Sequence, residues 1–114
     1  MKRFGFGKSE RLRKRRDFLA VSREARARID TPGFRILTRP NGLHQARLGV
    51  TVTKKVGSAA IRNRIKRHVR EFFRLHKHLL PTGRDYLVIA HRRAAESDHY
   101  LVHKELMVLL HRPS

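Results

Sequence analysis

A chain of 114 residues with 28 Lys and Arg against 9 Asp and Glu has room for one modest core, and its formal charge of +19 attracts polyanions. It has no cysteine, which excludes disulfides and thiolate metal sites and fits a reducing, cytoplasmic setting. There is no apolar run of about 18 residues, so no membrane span is indicated, and the basic start lacks the apolar stretch of a secretory signal. Hydrophobic residues reach 39%, against roughly 45–50% in typical globular chains, so some segments must be surface or tail. The charge is uneven. Residues 1–28 hold 11 Lys and Arg, and residues 54–77 hold nine with Glu71 as their one acid, whereas 84–114 is nearly neutral.

Residues 1–11, rich in cations and with Gly5 and Gly7, read as a flexible basic tail, leaving 12–114 as a single RNA-binding α/β domain. A short helix is expected from Arg15 to Ala25, with Phe18, Val21 and Ala25 on one side. A short strand is expected within 26–31, and Thr31, Pro32 and Gly33 form a turn. Phe34 to Arg39 is a strand that ends at Pro40, Asn41 and Gly42. In the next, Ala46 to Thr53, the apolar Ala46, Leu48, Val50 and Val52 alternate with Arg47, Gly49, Thr51 and Thr53. The short loop between these two strands favours an antiparallel pair. The small polar face of the second strand reads either as solvent surface or as the floor of a cleft.

Ser58 is the expected N-cap of the main helix, which runs to about Leu80 before Pro81, Thr82 and Gly83. Ile61, Ile65, His68, Val69, Phe72, His76 and Leu79 form one stripe at a 3.6 period. Asn63, Lys66, Arg67, Arg70, Arg74 and Lys77 cluster opposite, flanked by Arg62 and Arg64. Tyr86 to His91 reads as a buried strand, and Ser97 to His111 as a last helix with Leu106, Leu109 and Leu110 inward. The order helix, strands, helix, strand, helix predicts an α/β (α+β) two-layer sandwich.

Catalytic chemistry finds little support. Eight histidines invite a nuclease reading, but His68 and His76 lie on the core stripe. His99 and His103 have the i, i+4 spacing of a zinc pair, yet no Glu follows His99 and no third ligand is evident, so no metal site is assigned. The acids are scattered, with Asp85, Glu96 and Asp98 the only loose group, and no phosphate-loop motif is present. Binding chemistry is better supported. Helix-start amides beside Lys54 and Lys55 suit a phosphate, and cations three and four apart can follow an RNA backbone. A solvated charged helix face is the plain alternative, but such faces usually mix signs at i, i+4. Phe18 has two readings: an anchor for the first helix, or a stacking surface for an unpaired base beside Arg15 and Arg16.

The run from Leu48 to Arg67 (LGVTVTKKVGSAAIRNRIKR), continued by Arg70 and Phe72, closely resembles the protein subunit of bacterial ribonuclease P. Arg11 and Leu12, followed by Asp17, Phe18 and Val21, resemble the family's first helix. The stretch Asp85, Tyr86, Val88, Ile89 and Ala90 resembles its strand after the signature helix. The resemblance spans about Arg11 to Leu110. It implies an αβββαβα order, ribosomal protein domain-like, with a left-handed βαβ crossover against the usual right-handed rule. It implies a ribonucleoprotein endoribonuclease that removes the 5′ leader of precursor tRNA. Its RNA subunit hydrolyses with magnesium, and the protein alone is inactive and needs no further protein partner. By the same resemblance, Lys54, Lys55, Arg62, Asn63, Arg64, Lys66, Arg67 and Arg70 contact the catalytic RNA. Phe18, Arg15, Arg16, Gly49, Thr51 and Thr53 would line the leader-binding cleft, which reverses the solvent reading of that strand face. Many relatives carry a second aromatic where this chain has Ser22, so the cleft is expected to stack leader bases less strongly. A ribosomal or other structural RNA-binding protein is the alternative that size and charge allow.

Overall fold

The computed structural model describes residues 8–111. Four strands and four helices follow one another as α1 (Arg15–Glu24), β1 (Ala27–Asp30), β2 (Phe34–Pro40), β3 (Arg47–Thr51), α2 (Ala59–His76), β4 (Arg84–Ala90), α3 (His99–Leu106) and α4 (Val108–His111). The strands form one sheet in the order β1-β2-β4-β3. β2 and β3 therefore do not form the antiparallel pair that their short loop predicted. β4 lies between them, antiparallel to β2 and parallel to β3. The reason is in its residues: Tyr86, Leu87, Val88 and Ala90 are all buried. A strand with apolar side chains on both faces gains most at the centre of a covered sheet.

Each sheet face has its own core. On one, Phe34, Ile36, Leu48, Tyr86 and Val88 pack with Ile65, Val69, Phe72 and Phe73 of α2 and Val102 and Leu106 of α3. On the other, Leu87 joins Leu12 and Val21, with Phe18, Leu37 and Ile89 around them, so α1 covers part of the second face. Burying Phe34, Phe72 or Phe73 is worth about 1.5–3 kcal/mol each. The turn before β2 is fastened to α3 by Glu105, which accepts from Thr31 Oγ1 at 2.6 Å and from the Gly33 amide at 2.8 Å.

Several boundaries differ from the sequence reading. α2 ends at His76, and a 3-10 turn over Lys77–Leu79 swings Leu79 out to 59% exposure, off the core stripe. Phe73, outside that stripe, is buried instead. The last helix breaks at Met107 into α3 and α4, and it begins with Asp98 as the cap, accepting from the Leu101 amide at 2.9 Å. Part of the expected tail, residues 1–7, lies outside the described residues. Residues 8–11 are attached: Gln45 Nε2 donates to the Ser9 carbonyl at 2.7 Å, Lys77 pairs with Glu10 at 2.7 Å, and Arg11 bridges to Leu48.

Gly49 holds α1 close to the sheet. A Cβ there would lie 2.8 Å from Phe18 Cε1 and 2.9 Å from Leu12 Cδ1, so a side chain must displace both. Gly49→Ala is expected to cost about 1–3 kcal/mol in chemical denaturation, as overpacking does. Adding Phe18→Ala should recover part of that loss, and strict additivity of the two would mean that they do not touch.

Candidate nucleic-acid interface

The signature helix is nucleated locally. Ser58 Oγ accepts from the Ile61 amide at 3.3 Å, and the apolar stripe then fixes which side of α2 meets the sheet. The opposite side carries Asn63, Arg67, Arg70 and Arg74, spaced by four, three and four residues and hence stacked along one line. Arg11, brought from far upstream by its bridge to β3, completes a groove of about 410 Å³ with these four and Glu71. Burial, and then the charge of Arg11, pull the Arg70 guanidinium below its ordinary value. Like charges are thus crowded in this groove, and a polyanion would relieve them. Glu71 is bonded to Arg74, whose hydrogen bond outweighs burial and holds the carboxyl below the usual range.

The remaining cations assigned from sequence are distributed around this groove and outside it. Lys54 and Lys55 are exposed on the turn before Ser58. Arg62 turns back, its Nε donating to the Gly57 carbonyl at 3.2 Å, and Lys66 is half-buried. Arg64 reaches across to the segment after β4, where Nη2 donates to the Ala95 carbonyl at 2.8 Å and Nε is buried without a partner. Arg64 therefore fastens the fold. Arg64→Ala is expected to lower stability by about 1–2 kcal/mol, as loss of a charged hydrogen bond does. An unchanged urea midpoint would leave this side chain free for RNA alone.

A second basic hollow of about 240 Å³ surrounds the start of α1, lined by Arg11, Arg13, Lys14, Arg16, Asp17 and Arg47 together with Ser9. Phe18 is half-buried, so both of its readings meet in one side chain: it packs on Gly49 and still shows part of its ring. Gly49 itself is buried beneath Phe18 and Leu12 and is not an open floor, as the sequence reading had it. Thr51 is half-buried at the end of β3, while Thr53, Arg15 and Arg16 are exposed.

The acids of the sequence reading do not gather. Asp85 is fully buried in β4, where it is the register partner of both Arg39 on β2 and Arg47 on β3. Arg47 grips it with two bonds of 2.8 and 2.9 Å, Arg39 donates at 3.2 Å and Asn41 at 3.0 Å. Among the described residues no three His, Cys, Asp or Glu side chains are placed to hold a metal ion, and no helix is long and apolar enough to cross a membrane.

A mixed sheet covered by one helix with a line of arginines defines a polyanion-binding α/β protein. The family model for ribonuclease P matches residues 6–114. The chain is 44% identical over 110 residues to the ribonuclease P protein component of Syntrophus aciditrophicus (strain SB), covering 96% of this chain and 92% of that one. It is 41% identical over 111 residues to the Thermotoga maritima protein component, covering 94% of each. Among solved structures, the Thermotoga maritima RNase P protein superposes with a TM-score of 0.81 at 38% identity, over 92% of this chain and 99% of that one. The Staphylococcus aureus RNase P protein gives 0.83 at 31% identity, over 91% and 94%. The chain belongs to the ribonuclease P protein family. Membership sets it in tRNA 5′-end processing together with a ribonuclease P RNA, and the ribosomal alternative falls away.

Proposed function

We propose that α2 binds the ribonuclease P RNA while α1 and β3 receive the single-stranded 5′ leader of precursor tRNA, and that the RNA performs the hydrolysis. The observation that carries this reading is the groove in which Arg11, Arg67, Arg70 and Arg74 converge against Glu71 as the one acid. Asn63 lines the groove itself, and Lys54, Lys55, Arg62 and Lys66 extend the same contact around and upstream of it, with Arg64 both anchoring α2 and adding charge. Phe18 offers its exposed edge to leader bases, with Arg15 and Arg16 taking phosphates and Thr51 and Thr53 bordering the path.

Magnesium belongs to the RNA in this scheme. A hard cation wants several oxygen ligands, yet Asp85 is buried among arginines and Glu71 is bonded to Arg74. Among the described residues no three His, Cys, Asp or Glu side chains gather for that ion, whereas RNA phosphates supply oxygen ligands. Four of the eight histidines, His68, His76, His99 and His103, pack between α2 and α3. The setting is the bacterial cytoplasm, in keeping with a chain that has no cysteine.

The deciding experiment is cleavage of precursor tRNA at low magnesium by a bacterial ribonuclease P RNA, with and without this protein, beside the protein alone. Rescue by a protein that is inert alone is the expected result. Cleavage by the protein alone would move catalysis onto the chain, and RNA binding without rescue would remove the cofactor role.

A further inference from the structure

Around α2 from the arginine groove, four imidazoles meet in the seam with α3. The His99 and His103 rings lie 3.9 Å apart, His68 stands edge-on to His99 at 5.3 Å, and His76 is 6.3 Å from His103. Phe72 packs against His76 and His103, and His103 Nε2 is buried without a hydrogen-bond partner. The charged groups facing this seam come from both helices. Arg64 and Arg67 of α2 and Asp98 at the head of α3 act on His68, and Glu71 of α2 faces His99 and His103. Burial, followed by the neighbouring positive charges, pushes His68 and His103 below the ordinary histidine range. Glu71 also lines the groove, bonded to Arg74, and Arg67 borders both sites. Groove and seam therefore share charged side chains.

We propose that RNA binding in the α2 groove takes up protons on this histidine seam. The inference rests on the reading of that groove as the RNA-binding surface. In the free protein burial, followed by the charges of His99, Arg67 and Arg64, holds His68 below the ordinary histidine range. Phosphates laid on Arg67 cancel part of that positive field, and His68 then charges more readily. Linkage makes the effect reciprocal, so affinity rises as pH falls from about 7.5 towards 6, tenfold per pH unit for each proton taken up. The free protein moves the other way. Depressed histidines give stability that is complete above about pH 6.5 and lost as pH falls through their folded values.

The test is calorimetric titration of the full chain with a bacterial ribonuclease P RNA at pH 6.5 and fixed ionic strength. Two buffers of different ionisation enthalpy yield the number of protons taken up. His68→Gln with His99→Gln is the main variant, and His68→Gln alone serves if the double variant does not fold. His44→Gln, in the loop before β3, is the control. The expected result is that the wild type and His44→Gln take up about 0.5–1 proton more than the double variant, with an intermediate value for His68→Gln. Equal uptake by wild type and His68→Gln overturns the proposal while leaving the groove reading intact. Failure of the wild type to bind the RNA overturns both.

Discussion

Replacing Asp85 by alanine is expected to remove about 3–5 kcal/mol of stability at pH 7, the cost of breaking an ion pair whose carboxylate is fully buried and whose arginines are half-buried. Two arginines and Asn41 converge on this carboxylate, which has no exposure of its own; Glu24 also pairs with Arg39 at 2.9 Å, so the loss falls mainly on Arg47. Burial alone would push the carboxyl up. The bonds from Arg47 and Asn41 and the charges of Arg47 and Arg39 outweigh it, and the group is held below the usual carboxylate range. A carboxyl depressed by folding binds fewer protons folded than unfolded. Its contribution is therefore complete above about pH 4 and lost as pH falls through the folded value. Urea denaturation of wild type and Asp85→Ala should show the gap between them narrowing on acidification. A gap below about 1 kcal/mol at pH 7 would mean that the arginines are satisfied by water instead.

Arg67→Ala combined with Arg70→Ala is expected to flatten the salt dependence of RNA binding while sparing the fold. If each arginine neutralises one phosphate, the slope of log K against log salt falls by about 0.7–0.9 per residue. At ~0.1 M salt that slope corresponds to roughly 5–8-fold in affinity for each, or about 25–60-fold together. Both side chains are exposed, so the thermal midpoint should hold within about 0.5 kcal/mol of wild-type stability. Removing them also relieves the like-charge crowding around Arg11. Filter binding over a salt series decides the matter. An unchanged slope would place the RNA on another face, most directly on the basic hollow at the start of α1.

The parts of this architecture that depend on local pattern were readable from the chain. α2 announced itself by the 3.6 period from Ile61 to Phe72 and by Ser58 as its cap, and both are observed. The line Asn63, Arg67, Arg70 and Arg74 was equally visible, because helical spacing alone sets it. Arg11 was not, since only the docking of residues 8–12 against β3 carries it to the groove. The apolar run of β4 identified a buried strand but not its neighbours, because strand order is decided by contacts far apart in sequence. Asp85 looked like one of three stray acids. A lone charge in a strand carries no local sign that two arginines from flanking strands will meet it. Gly49 was misread for a related reason: alternation shows which side chains share a face, not whether a helix lies on it. Phe18 and Leu12 lie on that face.

The placement of β4 between β2 and β3 also bears on how the chain is made. A ribosome delivers β2 and β3 well before β4, so for that interval each presents an open edge with no partner to close it. Strands in that condition invite pairing with other chains. Synthesis at about 5–20 residues per second leaves that interval at a few seconds for the stretch from Thr51 to Ala90. The basic character of 1–28 and 54–77 offers protection, because nascent copies with so much like charge repel one another while their edges are bare. Seen this way, the cations that later hold RNA first act as a solubility device for a sheet whose central strand arrives last.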